Sequence, residues 1–227
     1  MKAEWLVPLP PRFTTRQAMS IGTAGYTAML CLMALERHGV TPDRGEILVT
    51  GASGGVGSFA VALLAARGYT VAAATGRAEE AGYLARLGAG RIVPRRDLEA
   101  PGRPLGKEMW AGVIDSVGGI VLANACASTR YGGTVAACGL ACSMDLPLTV
   151  APFILRGVTL AGVDSVYCDA ATRRIAWDRL ADELPEGVIE HIAHVVPLDA
   201  VIDLAGDLLA GTIRGRRVVE IGTAATR

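Results

Sequence analysis

The sequence is poor in lysine and has no excess of charge of either sign. Only Lys2 and Lys107 are lysines among the 22 basic residues, and 22 acidic residues balance them to a formal net charge of zero. A chain without a basic excess lacks the broad attraction by which proteins hold nucleic acid or acidic lipid. We therefore expect neither nucleic acid nor a membrane as a partner.

Cysteine pairs with metal-site or redox spacing are also missing. The five cysteines, at positions 31, 126, 138, 142 and 168, form no C-x-x-C pair, which is typical of buried thiols in a reducing cytoplasm. His191 and His194 are not joined by a cysteine or carboxylate cluster in a zinc pattern, so no metal is expected. Residues 1–13 lack the layout of a secretory signal, and the longest apolar stretch looks too short to span a membrane. We expect a cytoplasmic protein.

A large apolar content is present instead, 51% against 19% charged residues, which indicates a folded chain with a sizeable core. From residue 46 onward, short strands that are apolar throughout alternate with helices, as in a parallel sheet covered on both faces. We predict an α/β fold with a doubly wound parallel sheet, a Rossmann fold. Strands are expected at 46–50, 69–74, 91–93, 110–116, 132–138 and 158–163, and helices at 16–38, 59–67, 79–87 and 120–129.

The chain after the sixth strand has a different pattern. Helices are expected at 170–184 and 198–210, and short strands at 194–196 and 216–221. We therefore place the core of a single domain at about 40–165. Residues 166–227 are predicted to be a C-terminal extension of that domain.

The most informative segment is the glycine loop, residues 49–58, with the sequence VTGASGGVGS between a predicted strand and a predicted helix. Its glycines permit a tight turn and let backbone N–H groups approach a pyrophosphate, to which the helix N-terminus adds partial positive charge. The loop therefore predicts a dinucleotide-binding site. Its candidate residues are Ser53, Gly54, Gly55, Val56, Gly57 and Ser58.

Two other enzyme classes use similar loops. A phosphate-binding P-loop needs a lysine before its serine or threonine, whereas Gly57 precedes Ser58. The short-chain dehydrogenase pattern T-G-x-x-x-G-x-G fits the loop, but those enzymes need a Tyr-x-x-x-Lys pair for proton transfer. The fourth residue is not lysine after any of four tyrosines, Tyr69, Tyr83, Tyr131 and Tyr167. Both interpretations therefore lack an essential lysine.

The end of the second strand suggests which nicotinamide cofactor binds. An NAD enzyme usually has Asp or Glu there to accept the ribose 2′-OH, but this strand ends in Thr75, Gly76 and Arg77. A hydroxyl, a glycine and a guanidinium suit a 2′-phosphate, so we expect NADP(H). Arg95, or Arg96, after the third strand is expected to line the adenine end. The alternative is a helix cap followed by solvent-facing arginines.

Six segments together carry a family resemblance. They are A-x-G-G-V-G in the glycine loop, IGTAGYTAML at 21–30, WAGVIDSVG at 110–118, YGGTVAACGL at 131–140, PFILR at 152–156 and GVDS at 162–165. The chain resembles the acrylyl-CoA reductase family, a zinc-independent branch of the medium-chain dehydrogenases. That resemblance implies NADPH-dependent reduction of the C=C bond of acrylyl-CoA.

The resemblance also implies which residues line the nicotinamide half of the site: Leu140, Ile154 and Ser165. From the residue pattern alone, Leu140 is a loop residue and Ile154 a core residue. Thr23 and Tyr26 on the first helix and Arg216 in the last strand are further candidates.

Members of the resembled family are about half as long again and carry an N-terminal substrate domain. We therefore expect this chain to be the cofactor-binding half, with unknown catalytic residues, no practical turnover alone and a last strand left without its partner. A quinone or enone reductase, and an NADPH-binding module without turnover, stay open. The apolar strand at 157–164 would lie at the sheet edge, so we expect a homodimer through it.

Overall fold

A computed structural model describes residues 6–221 of the chain. Within that range, six strands form one parallel sheet in the order β3-β2-β1-β4-β5-β6. The sheet grows outward from β1 in one direction and from β4 in the other, which is the doubly wound arrangement expected from the sequence. The strands are β1 (Ile47–Val49), β2 (Val71–Thr75), β3 (Arg91–Pro94), β4 (Trp110–Asp115), β5 (Thr129–Ala137) and β6 (Thr159–Gly162).

Helices cover both faces of this sheet. They are α1 (Thr15–Arg37), α2 (Gly55–Ala66), α3 (Ala81–Arg86), α4 (Gly119–Ala127), α5 (Ala151–Arg156) and α6 (Ala170–Glu183). Because successive side chains of a strand point to opposite faces, Ile47 and Val49 pack with α1 and α2, whereas Leu48 packs with α4. The two cores explain why the strands are apolar at every position.

The first helix follows the sequence prediction to within a residue at each end. It begins with a capping box, in which the Thr14 side chain accepts from the Gln17 N–H and the Gln17 side chain accepts from the Thr14 N–H. The helix is interrupted at Gly22, whose φ of +48° is not helical. By length and composition α1 could cross a membrane, but 67% of its most apolar window is buried inside the domain. It is therefore a core helix.

Element boundaries differ from prediction where packing overrides local preference. Helix α2 starts at Gly55, whereas the sequence predicted a start at residue 59. Glycine is a poor helix former, but packing against neighbouring residues keeps Gly55 and Gly57 in the first turn of the helix. Strand β5 starts at Thr129, three residues earlier than expected. The short helix α5 was not predicted, since six residues carry too little periodic signal.

The C-terminal extension forms a second, smaller sheet. Helix α7 (Val188–Ile192) was not predicted; strand β7 (Ala193–Pro197), helix α8 (Val201–Leu209) and strand β8 (Arg216–Glu220) lie close to their expected positions. Strand β8 pairs in parallel with β7 from the pair Ala193–Arg216 to the pair Pro197–Glu220. The expectation that the last strand has no partner is therefore wrong, because β7 supplies one within the same extension.

Candidate cofactor-binding site

The glycine loop lies where the strand order of the sheet reverses, between β1 and β4. Helix α2 begins in this loop, so its N-terminal N–H groups face the crevice at the carboxyl ends of the strands, the position where doubly wound folds bind nucleotides. A Cβ added at Gly57 would lie 2.3 Å from the carbonyl oxygen of Gly51. Gly57 therefore lets α2 pack directly against its own loop.

Ser58, which the sequence placed among the cofactor residues, is used inside the fold. It is fully buried, its hydroxyl oxygen accepts from the Tyr83 hydroxyl at 2.8 Å, and it donates to the carbonyl oxygen of Ala52 at 3.3 Å. These contacts join α2 to α3 and to the loop. The structure thus gives the Ser58 side chain an internal role.

Arg216, a further candidate from the sequence, lies beside the start of α2. Its side chain lies between the Gly22 interruption of α1 and the start of α2, because a Cβ at Gly22 would be 2.7 Å from its Nη2 and a Cβ at Gly55 2.9 Å from its Cδ. Its Nε donates to the carbonyl oxygen of Ser20 at 3.3 Å. Burial lowers the pKa of Arg216, and no carboxylate pairs with it among residues 6–221. A half-buried cation beside a helix N-terminus is suited to an anion.

Backbone contacts bring Arg216 to the loop. The N–H of Gly215 donates to the carbonyl oxygen of Ser53 at 2.9 Å, which docks the start of β8 against the glycine loop. Gly215 has a φ of +60°, and a Cβ there would lie 2.1 Å from the carbonyl oxygen of Ile192. No local pattern in the sequence could show this, since the contact joins segments far apart in the chain.

The predicted 2′-phosphate residues form one polar group at the end of β2. The Ser53 and Thr75 hydroxyl oxygens are 3.2 Å apart, and Nη2 of Arg77 donates to Ser53 Oγ at 2.9 Å. Arg77 also donates to the carbonyl oxygens of Thr212 and Ile213, which leaves two of its five N–H groups for a ligand.

Arg95 also approaches the end of β2. A Cβ added at Gly76 would lie 2.9 Å from the guanidinium carbon of Arg95, and Arg95 pairs with Glu99 at 2.6 Å. The Arg95 guanidinium therefore lies against Gly76, and that of Arg77 lies beside Ser53 at the same strand end. This arrangement fits a doubly charged phosphate better than it fits a ribose hydroxyl.

The residues assigned to the nicotinamide half lie along the other side of the crevice. Leu140 follows β5 and Ser165 follows β6, so both stand at the carboxyl ends of strands, and Ile154 is on α5. The exposed fraction is 58% for Leu140 and 72% for Ile154. The interpretation of Ile154 as a core residue is therefore wrong, and both side chains are open to a ligand.

Asp115 stabilises the crevice from below. It is fully buried at the end of β4, where Oδ1 accepts from the Thr50 hydroxyl at 2.6 Å and Oδ2 accepts from the Gly118 N–H at 2.8 Å. Burial raises the pKa of Asp115, and these hydrogen bonds oppose that rise. Both oxygens are engaged within the protein, so Asp115 holds the ends of β1 and β4 in place.

Nothing in the described part of the chain forms a metal site. No group of three or more histidine, cysteine or carboxylate residues could hold an ion there. His191 belongs to α7 and His194 to β7, so the two are not on successive turns of one helix.

Comparisons with known proteins place this crevice in a family. The profile of the zinc-binding dehydrogenase family matches residues 55–182. The acrylyl-CoA reductase AcuI of Ruegeria pomeroyi is 52% identical over 97% of this chain and 67% of its own length. The chain belongs to the acrylyl-CoA reductase family. Members of this family are medium-chain dehydrogenase/reductase enzymes. A more distant relative is the putative quinone oxidoreductase YhfP of Bacillus subtilis, which is 43% identical over 96% of this chain and 67% of its own length.

Solved structures of this family have the same fold. The YhdH oxidoreductase of Salmonella enterica, in complex with NADP, has a TM-score of 0.95 and 52% identity, and the match covers 97% of this chain and 68% of that protein. YhdH of Escherichia coli K-12, with bound NADPH, has a TM-score of 0.94 and 51% identity, with the same coverage. The chain thus spans about two thirds of the length of these relatives.

Proposed function

We propose that this chain binds NADPH and serves an oxidoreductase that reduces the activated C=C bond of an α,β-unsaturated acyl-CoA, such as acrylyl-CoA. One observation carries the cofactor assignment. The end of β2, where an NAD enzyme usually has a carboxylate, carries the Arg95 guanidinium against Gly76 and the Arg77 guanidinium against Ser53. The relatives that are 52% identical and named as acrylyl-CoA reductases support the substrate class.

The polar groups of the crevice fit the three parts of NADPH. The pyrophosphate would lie at the N-terminus of α2 beside the guanidinium of Arg216, which lacks a carboxylate partner in the described residues. The 2′-phosphate would lie at Thr75, Gly76 and Arg77, with Arg95 closing its outer side. The nicotinamide would then extend over the carboxyl ends of β4 to β6, toward Leu140 and Ser165.

In this assignment the residues of the chain bind and orient. NADPH, when bound, would supply a hydride to the β-carbon of the unsaturated thioester, and the α-carbon of the resulting enolate would take a proton from water or from the substrate domain. Arg216 and α2 hold the pyrophosphate, so the position of the nicotinamide is set from its anchored end. Leu140 and Ile154 present exposed apolar surface, which would exclude water from the reacting carbon only when a substrate domain covers it. We assign no catalytic side chain within this chain.

A quinone or enone is the second candidate substrate, because the relative at 43% identity is named a putative quinone oxidoreductase. The two candidate substrates are distinguished by measuring NADPH oxidation with acrylyl-CoA and with a benzoquinone. Both assays use one preparation, in which this chain is joined to a substrate domain. A higher kcat/KM for acrylyl-CoA is expected. Turnover of the quinone alone would overturn the acyl-CoA assignment, and NADPH binding without any turnover would indicate a binding module.

We further propose a cytoplasmic homodimer that is assembled through β6. This strand is the outer strand of the six-stranded sheet, and it pairs only with β5 in the described residues. An unpaired apolar edge favours pairing with a second copy across a two-fold axis. Light scattering at high micromolar concentration is expected to give twice the mass of the chain, and a monomer would contradict the proposal.

A further inference from the structure

The segment that follows β6 has no regular secondary structure, yet it is held from two sides. On one side, Oδ1 of Asp164 accepts from the N–H groups of Val166 at 2.7 Å and Tyr167 at 3.1 Å. On the other side, Nη2 of Arg173 donates to the carbonyl oxygens of Ser165 at 3.2 Å and Val166 at 3.3 Å. The conformation of Ser165 therefore depends on a side chain of the next helix.

Arg173 is itself fixed to the rigid part of the domain. It lies in the first turn of α6, whose start is capped by Asp169, with Oδ1 accepting from the Thr172 N–H at 2.9 Å. Its guanidinium carbon is 4.7 Å from the centroid of the Tyr26 ring, within the range of a cation–π contact. Tyr26 is 2% exposed and belongs to α1, the longest core helix.

The surroundings of Tyr26 favour a support role for the ring. Its hydroxyl has no hydrogen-bond partner among the described residues. Burial raises the pKa of Tyr26 well above its usual value, so the ring stays neutral. No carboxylate forms an ion pair with Arg173 in the described part of the chain. The Tyr26 ring and two backbone carbonyls are therefore the contacts that hold the Arg173 cation.

We propose that Arg173 is a positioning residue for the nicotinamide half of the cofactor. Supported by the Tyr26 ring, it holds Ser165 and Val166 in the conformation that receives the nicotinamide riboside. This inference rests on the proposed NADPH-binding function. Arg173 acts through the segment after β6, and none of its hydrogen bonds in the described residues reaches Arg77 or Arg216.

The test compares two ligands that share one end. NADPH has both halves, whereas adenosine 2′,5′-bisphosphate has the 2′-phosphate end and lacks the nicotinamide. Calorimetry with both ligands is carried out on the wild-type chain, on Arg173→Met, which keeps an unbranched stem and removes the charge, and on Arg173→Lys, which keeps the charge. Arg174→Met is the matched control, because Arg174 is the next residue of α6 and is exposed.

We expect Arg173→Met to raise the Kd for NADPH by about tenfold, the effect of losing charge-assisted hydrogen bonds. Its Kd for adenosine 2′,5′-bisphosphate should stay within about twofold, a difference below 1 kcal/mol. The Kd of Arg173→Lys for NADPH should lie between those of the wild type and Arg173→Met. Arg174→Met should change the affinity for neither ligand.

Two results would overturn the inference while leaving the proposed function intact. One is an unchanged NADPH affinity in Arg173→Met. The other is an equal loss of affinity for NADPH and for adenosine 2′,5′-bisphosphate in both Arg173→Met and Arg173→Lys, which would indicate a general structural effect. If the wild-type chain binds neither ligand, the proposed function itself fails, and the inference fails with it.

Discussion

We propose that Arg77 and Arg216 bind different phosphate groups of the cofactor. Arg77 lies at the end of β2 with Ser53 and Thr75, the proposed position of the 2′-phosphate, which NADH lacks. Arg216 lies between Gly22 and Gly55, the proposed position of the pyrophosphate, which NADPH and NADH share. Replacing each arginine should therefore give a different pattern of losses with NADPH and NADH.

The first prediction concerns cofactor choice. Arg77→Ala is expected to weaken NADPH binding by about 1–3 kcal/mol, the value of a hydrogen bond to a charged group, and to leave NADH binding almost unchanged. Titration calorimetry measures both. Arg37→Ala is the control, since Arg37 is exposed in the last turn of α1 and is not among the candidate cofactor residues. Equal losses for the two cofactors would contradict the 2′-phosphate assignment.

The second prediction concerns the pyrophosphate. Arg216→Met keeps an unbranched stem and removes the charge, so NADPH and NADH should both lose about 2 kcal/mol or more of binding free energy. The same calorimetric titrations apply. Thermal unfolding provides the control, because the half-buried cation without a carboxylate partner contributes little to folding and the melting temperature should be nearly unchanged. A loss of affinity for NADPH with unchanged affinity for NADH would indicate that the pyrophosphate binds elsewhere.

At the scale of elements, the start of α2 is the part of the site with the least free space. A Cβ at Gly55 would lie 2.9 Å from Arg216 Cδ and 3.2 Å from Ala24 Cβ. Gly55 therefore does more than permit a turn, since it lets Arg216 cross the N-terminus of the helix. This contact joins the first helix, the loop and the last strand at one point.

The third prediction follows from that contact. Gly55→Val should displace Arg216 and cover the first N–H groups of α2, which abolishes binding of both dinucleotides while the sheet remains folded. Fluorescence titration measures binding, and circular dichroism checks the fold. Gly206→Val in α8 is a matched control, because no atom lies within 4 Å of a Cβ built there. Wild-type affinity in Gly55→Val would show that the pyrophosphate binds elsewhere.

Considered as a whole molecule, the protein leaves one side of the crevice open. The exposed fractions of Leu140 and Ile154 are 58% and 72%, so the apolar surface beside the nicotinamide position faces solvent. Helix α8 has no buried residue, and its Ile202 and Leu209 are 84% and 90% exposed. The surface at Leu140 and Ile154 and the surface of α8 are therefore both exposed to solvent in this chain. Water at the nicotinamide position would oppose the positioning of an acyl group.

The fourth prediction is therefore that the 227-residue chain binds NADPH but turns over acrylyl-CoA very slowly. Positioning of the reacting groups supplies about 7–11 kcal/mol of a barrier, and an open crevice loses most of it. The measurement is NADPH oxidation with acrylyl-CoA, compared with that of the full-length relative from Ruegeria pomeroyi. Similar kcat/KM values would show that the site is complete within these residues.

The sequence by itself determined the main sheet and the identity of the glycine loop. Strands that are mostly apolar, helices closed by glycine and a capping threonine at position 14 are local signals, and they predicted α1 and the six strands of the main sheet. The loop at 49–58 and the Thr75-Gly-Arg77 turn depend on residues adjacent in the chain. For that reason both features can be predicted from the order of the amino acids.

The tertiary structure alone decided what lies opposite those residues. Arg216 reaches Gly55, β8 pairs with β7, and Arg173 joins Tyr26 to the segment after β6. Each contact joins segments whose meeting no local pattern specifies, since hydrophobic periodicity indicates which face of an element is buried but not what covers it. Side-chain contacts around a parallel sheet are set by how the crossover connections wind, and those connections bring together residues that are distant in the chain.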